Sequence, residues 1–443
     1  MPSTVLFLTA TLLLSLNFVR PFGLALSDWL YFCALFLGVA ETFLIQRRHA
    51  ACWWHNRFLW AVALIVFGAL ISTINSRHWS TALLEIFQQA FVMTLFVSLA
   101  WIMVRRGKIP PIVFAFILTG VFTAGIATYD YFTGSRIGPF LSGTPDLQLW
   151  GRYAGTLGHP NKLGYFLVLT ALLSVGQLLR LKSTRAVWFS YLLWGVLLAV
   201  QLFGIYISGS MSAYLGFLLG ILVIILSSTR ILYSVTKIFA VVMAAGLLLA
   251  IFNVVFNTTS LRNMPGSRNS QITQALNRIQ TVTGESRLKN YSQAWDRITL
   301  NPWVGVGYDQ ISTSGVSSSS RLLDDAVHNP LLQIWYTGGI FAFIGWLAIY
   351  GLVGWTALGA IKKASQSGLP LVLSLAAATL AALLMDQFQD AIYQREKWLV
   401  IGLLISFAWE QSEVETESPV RHESQPMDLL PSGQELSASE TNP

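Results

Sequence analysis

The stretch "DDAVHNPLLQIWYTGGIFAFIGW", residues 324–346, sets an imidazole and an amide directly before a long apolar run. A neutral imidazole titrates near about 6.5, so His328 can take a proton from a hydroxyl near neutral pH as a general base. Pro330 suits the first turn of the helix that follows, and a histidine at that boundary can equally serve as a helix cap. Asn329 beside it offers both a donor and an acceptor to a polar ligand.

A cation of interest lies upstream, in "SRLKNYSQAWDRITL". Leu288, Tyr291, Trp295 and Ile298 recur at helical spacing, which predicts an amphipathic helix with one apolar stripe. Ser286 is its expected N-cap, Arg287 falls in the first turn, and "NPWVGVG" ends it with Pro302 and glycines. Free N–H groups at a helix start, joined by a guanidinium, make a fork for phosphate oxygens, so Arg287 is a candidate anion clamp. The same side chain can instead snorkel to headgroups or pair with Glu285. Ile272, Leu276 and Ile279 suggest a second amphipathic helix before it.

In "GRYAGTLGHPNKLGYF", Arg152, His159, Asn161 and Lys162 crowd one helix entrance behind Gly151, Gly155 and Gly158. Such a set can cradle a phosphorylated or sugar ligand, or be an ordinary Gly-rich helix start. Asp386 and Asp390 lie four apart on one helix face, within reach of Arg395 or Lys397. A salt bridge is expected for Asp390 and a ligand contact for the deeper Asp386. Glu41 and Glu85 read as interfacial or cytoplasmic, without chemistry. No His-x-x-His or Glu-x-x-His spacing occurs, and Asp324 with Asp325 reads as a solvated loop, so no metal or cofactor is expected.

The elements that must position these groups are membrane helices. Of the 443 residues 54% are hydrophobic and only 11% charged, a balance far from that of a soluble domain. A bilayer core takes about 20 apolar residues per helix. Spans are expected at 4–19, 24–45, 58–75, 81–104, 110–131, 163–180, 187–207, 211–228, 231–256, 330–358, 370–390 and 396–410. The fold class is therefore an all-α polytopic membrane protein with about twelve transmembrane helices. Unalternated runs of this length exclude an outer-membrane barrel. The first segment lacks a basic n-region and an A-x-A site, and is expected to be a retained helix rather than a signal peptide.

Alternate connections carry "IQRRHAACWWHNR", "RRGK", "RLKSTR", "STR" and "IKKASQSG", an excess of positive residues that predicts a cytoplasmic side. Both termini are then cytoplasmic, and the loops 132–162 and 257–328 face outward. The net charge of +7 reports this topology and contact with anionic headgroups, with no module for nucleic acid. Cys33 and Cys52 fall on different sides of a span boundary, with no disulfide or metal-ligand spacing. Residues 1–411 form the transmembrane domain, and 412–443, rich in Glu, Ser and Pro, read as a disordered cytoplasmic tail.

Four segments in order resemble the O-antigen ligase and O-antigen polymerase superfamily of bacterial membrane glycosyltransferases, across roughly residues 145–360. "GTLGHPNKLGYFLVL" resembles its Gly-x-x-x-x-Pro-Asn segment and "SGSMSAYLGFLLG" its small-residue helix start. "SRLKNYSQAWDRITLNPWVGVGYDQ" resembles its Arg-helix-Asn-Pro-x-x-Gly-x-Gly block and "HNPLLQIWYTGGIFAFIG" its His-Asn segment. The resemblance implies a GT-C-type glycosyltransferase architecture with a large helical extracytoplasmic loop. It implies a polyprenyl (undecaprenyl) diphosphate-linked glycan as donor, a glycan or lipid A-core as acceptor, an inverting reaction without metal, and a place in the bacterial inner membrane. Arg287 would bind the donor diphosphate and His328 would activate the acceptor hydroxyl. Family members commonly carry Ser-Arg where this chain has Ser210-Met211, so a second diphosphate-binding arginine is missing there; Arg152, Lys162 or Arg136 can substitute.

The resulting expectation is an O-antigen ligase-like transferase, with a repeat-unit polymerase of the same superfamily as the alternative. A solute transporter is the reading from another class. Against it stand the absence of an internal repeat and the gathering of polar groups at one face, where a carrier would hold them near the midplane.

Overall fold

A computed structural model describes residues 1–16, 25–45, 57–142, 151–181, 188–227, 283–310, 327–389 and 392–417, with backbone alone at 43–45, 283–288 and 410–417. Thirteen α-helices run through these residues. They are α1 (Pro2–Leu12), α2 (Leu26–Ile45), α3 (Arg57–Ser72), α4 (Trp79–Arg105), α5 (Ile109–Thr133), α6 (Ile137–Ser142) and α7 (Pro160–Arg180). Then follow α8 (Trp188–Ser208), α9 (Met211–Leu226), α10 (Thr283–Leu300), α11 (Pro330–Lys363), α12 (Leu369–Asp386) and α13 (Arg395–Glu417).

Seven of the described helical segments are long and apolar enough to cross a membrane by length and composition. These are Arg57–Asn75, Trp79–Arg105, Ile109–Thr133, Pro160–Arg180, Trp188–Ser208, Pro330–Lys363 and Leu369–Asp386. The chain is thus a multi-pass membrane protein, all-helical through its described residues. The α9 and α1 helices are shorter apolar helices, and the span expected at 231–256 lies outside the described residues. The first segment falls short: α1 ends at Leu12, where the 4–19 run had suggested a full span. At 1.5 Å per residue, eleven residues cover only about 17 Å of a core about 30 Å thick.

The α7 helix is the centre of the bundle, with 83% of its apolar window buried against 33% for α8. It packs on α8, α9 and α12, while α3 packs on α11 and α4 on α13. Ion pairs pin the two ends. At one, Arg106 reaches Glu41 at 2.7 Å and also donates to Ser3 Oγ. At the other, Arg395 meets Asp28 at 3.0 Å. Glu85, expected at an interface or in the cytoplasm, is buried in α4 and accepts a 2.6 Å hydrogen bond from the Tyr393 hydroxyl. The α13 helix continues to Glu417, past the boundary expected at 411, because "WEQSEVETE" extends the helix with good helix formers.

One interruption shapes the site. Inside α11, Gly339 has φ 71° and ψ −171°, so two helical pieces meet there. The break frees the carbonyls of Tyr336 and Thr337, which accept from Val306 N (3.0 Å) and Gly307 N (3.3 Å), while Ile340 N donates to Trp303 O (3.3 Å). A Cβ at Gly339 would lie 2.3 Å from Trp303 O. Glycine is required by both conformation and space.

Candidate active site

His328 is the only non-glycine residue with positive φ among the described residues, at 53°. A left-handed backbone at a residue with a Cβ costs about 1–3 kcal/mol and persists only where the surroundings hold it. The strain has a local cause. Asn329, the N-cap of α11, takes extended backbone and its Oδ1 accepts from Leu332 N at 3.1 Å, with Pro330 next. The cap residue is therefore Asn329, and His328 precedes it on left-handed backbone. Asn329 was expected to meet substrate; its carbonyl oxygen instead satisfies the helix start.

The α7 entrance assembles as the sequence suggested. His159 caps α7, its Nδ1 accepting from Asn161 N at 3.1 Å. Arg152 donates through Nη2 to Asn161 Oδ1, and through Nε to Ser208 O at 2.7 Å. That second bond sets the guanidinium at the end of α8, where the turn into α9 carries Ser210 and Met211. Lys162 is exposed on the first turn of α7. Burial, with the charges of Arg152, Lys162 and His328, pushes the His159 imidazole down from 6.5 to about 4. His159 and His328 thus lie within electrostatic reach of each other, and Arg152, His159, Asn161, Lys162 and His328 form one cluster. Arg136 is exposed just before α6.

Asp386 is elsewhere in character. It is fully buried, its Oδ2 lies 2.8 Å from Lys397 Nζ, and it accepts from Tyr165 OH (2.9 Å) and Tyr350 OH (3.4 Å). Lys397, 1% exposed, also faces the rings of Trp398 (4.8 Å) and Trp346 (5.4 Å). Asp386, for which a ligand contact was expected, makes a salt bridge with Lys397, because the start of α13 lies back over it. Asp390 itself is outside the described residues.

Two details of α10 differ from the sequence reading. The helix begins at Thr283, so Ser286 is interior and Arg287 falls past the first turn. Glu285, an acidic residue favourable near a helix start, belongs to that turn instead. The buried face is Asn290, Ala294 and Ile298, while Trp295 is 50% exposed. Tyr291 packs on the same cluster and Trp295 lies edge-on to Trp335 at 5.8 Å, so the expected stripe faces α11 and is widened by Asn290 and Ala294. The side chain of Arg287 and the segment with Ile272, Leu276 and Ile279 lie outside what is described.

Sequence reading missed the dock between α10 and its neighbours. Tyr308 OH donates to Gln89 Oε1 in α4, and Asn75 Nδ2 donates to Gly305 O at 2.7 Å. It also missed Asp130, whose carboxylate accepts from Ser135 Oγ, Ile137 N (3.1 Å) and Gly138 N (2.8 Å) and so organises α6. Only the glycines of "NPWVGVG" hinted at the close approach.

These features define a multi-pass membrane protein with a strained histidine, a second histidine and a basic cluster gathered at one end of its helices. Residues 194–347 match the O-antigen ligase family model, which supports the superfamily that the motifs resemble. The match contains Met211, Arg287, His328 and Asn329, while Arg152, Asn161, Lys162 and Asp386 lie outside it. Comparison with curated proteins gives no match. Among the described residues no group of His, Cys, Asp and Glu is arranged to hold a metal.

Proposed function

We propose that this protein is a glycosyltransferase that moves a polyprenyl-diphosphate-linked glycan onto an acceptor hydroxyl at the outer face of the bacterial cytoplasmic membrane. The strained backbone of His328 carries the reading, because strain of this kind is retained where a side chain must be aimed. His328 takes the proton of the acceptor hydroxyl. The oxygen then forms a bond to the anomeric carbon as the bond to the diphosphate breaks, with inversion and without a metal. Arg287 and Arg152 stabilise the charge that grows on the leaving diphosphate.

Arg152 supplies the second guanidinium that Met211 does not, a role supported by its bond to Ser208 O in the adjoining turn. Asn161 holds its guanidinium and Lys162 adds charge at the same helix start. Asp386 and Asn329 act structurally. The remaining parts of this reading are a GT-C-type bundle of about twelve spans, cytoplasmic termini and a cytoplasmic tail after α13. A ligase acting on a lipid A-core is preferred to a repeat-unit polymerase, on the likeness of the His-Asn segment and its glycine spacing.

The test is His328→Ala and Arg287→Ala in a host lacking the native protein, with surface glycan and lipid-linked donor both measured. Loss of a general base lowers transfer by about 10²–10⁴-fold, so donor accumulates at normal protein levels. Unchanged glycan in both variants refutes the enzyme. Single repeat units left on the acceptor would indicate a polymerase in place of a ligase.

A further inference from the structure

A cleft of about 280 Å³ opens between the α3–α4 turn and the segment after α10, apart from the residues assigned above. Asn75, Arg77, Arg297, Asn301, Val306 and Gln310 line it. Its walls are tied across the sequence. Besides the bond from Asn75 to Gly305 O, Tyr308 N donates to Ser76 Oγ (3.1 Å) and His78 N to Asp309 Oδ2 (3.1 Å). Neither Arg77 nor Arg297 makes a side-chain hydrogen bond or an ion pair among the described residues.

A second observation lies behind the wall. Tyr336 is 2% exposed and its hydroxyl has no hydrogen-bond partner among the described residues, although a buried donor without one is costly. It lies within electrostatic reach of Arg297 and Asp309. The cleft therefore presents two guanidiniums and the side-chain amides of Asn75, Asn301 and Gln310, of which the Asn75 and Gln310 nitrogens also donate to Gly305 O and Asp309 Oδ2, with the Tyr336 hydroxyl buried nearby. Guanidiniums suit phosphate or carboxylate oxygens, and amides suit sugar hydroxyls.

We infer that this cleft binds an anionic saccharide, the phosphate- or carboxylate-bearing sugar portion of the acceptor. The inference rests on the glycosyl-transfer reading above. Val327, next to His328, packs in one small cluster with Ile298, Val306 and Tyr336 of the cleft region. His328 thus stands between this cleft and the α7 entrance. With the donor diphosphate held at Arg152, the acceptor reaches the base from the Arg77 and Arg297 side.

The experiment titrates the full chain, in nanodiscs of zwitterionic lipid, with glucose 6-phosphate, glucose and inorganic phosphate by calorimetry. Glucose 6-phosphate is expected to bind at least about tenfold more tightly than either fragment, and less tightly as salt rises. The double variant Arg77→Gln with Arg297→Gln, at unchanged melting temperature, loses about tenfold or more of that affinity and raises the acceptor KM with kcat retained. Equal binding by parent and variant overturns the inference. So does binding lost in anionic nanodiscs, which assigns the cleft to lipid headgroups, and so does an unchanged acceptor KM. Binding does not depend on catalysis, so it is also measured in His328→Ala. Sugar phosphate binding retained there together with lost transfer supports the inference. Retained transfer in His328→Ala refutes the transfer reading, and with it the acceptor role, while leaving the measured binding in place.

Discussion

Asp386 at the end of α12 and His328 before α11 are both polar groups at the edge of apolar helices, and they are satisfied in opposite ways. Both Asp386 oxygens are filled by Lys397, Tyr165 and Tyr350, inside a shell that excludes water. His328 is partly exposed on strained backbone, within electrostatic reach of a second imidazole, His159, which itself has Arg152 and Lys162 near it. A closed network fixes how helices sit against each other, while a partly exposed cluster can be reached by a ligand. Burial depth alone, the criterion that favoured Asp386 in the sequence, does not separate the two roles.

The comparison is broken most strongly at the closed network. Lys397→Met leaves a buried carboxylate without its cation and should cost about 3–5 kcal/mol. A large fall in melting temperature is expected, with surviving protein still able to transfer glycan. Adding Asp386→Leu should recover much of that stability, and a double variant no more stable than the single would argue against a closed pair. At the kink between the two regions, Gly339→Ala forces a Cβ against Trp303 O and should cost at least about 1 kcal/mol, with activity abolished as the α10 segment undocks. Proteolysis within 301–310, compared with the parent, reads that undocking.

At the open cluster the signs reverse, with function falling and stability holding. Arg152→Lys keeps the charge but cannot bond Ser208 O and Asn161 Oδ1 together, so transfer should fall by about tenfold with melting changed little. A normal rate in this variant would remove Arg152 from the donor site. The smallest effect concerns acid. His159 titrates near about 4 when folded and near 6.5 when unfolded, so between those values the unfolded chain binds the proton that the folded chain refuses. Its contribution to stability is complete above about pH 6.5 and is lost as pH falls toward 4. His159→Asn keeps a capping side chain without titrating, and melts at pH 4.5 and 7.5 should show a smaller acid loss than in the parent.

Most spans were legible because about 20 apolar residues leave few other options, and Pro330 marked its helix start to the residue, whereas the helix expected from 163 begins at Pro160. Ser286 misled because a good cap residue is also tolerated inside a helix, and the helix start depends on what precedes it. Trp295 stands at the edge of the expected stripe, half exposed yet edge-on to Trp335, because a large ring can reach its neighbour from beside the buried Ala294.

By itself, the sequence determined an all-helical membrane chain, the helices that flank the site, and the residue types able to bind an anion and move a proton. These depend on local composition and short spacing, which survive without knowledge of the fold. Tertiary structure alone decided that Lys397 neutralises Asp386, that Arg152 bonds Ser208 O at the end of α8, that Gly339 opens α11 for Val306 and Gly307, and that Arg77 and Arg297 share a cleft. Each of these joins segments distant in the chain, and one-dimensional periodicity carries no information about which helix ends meet.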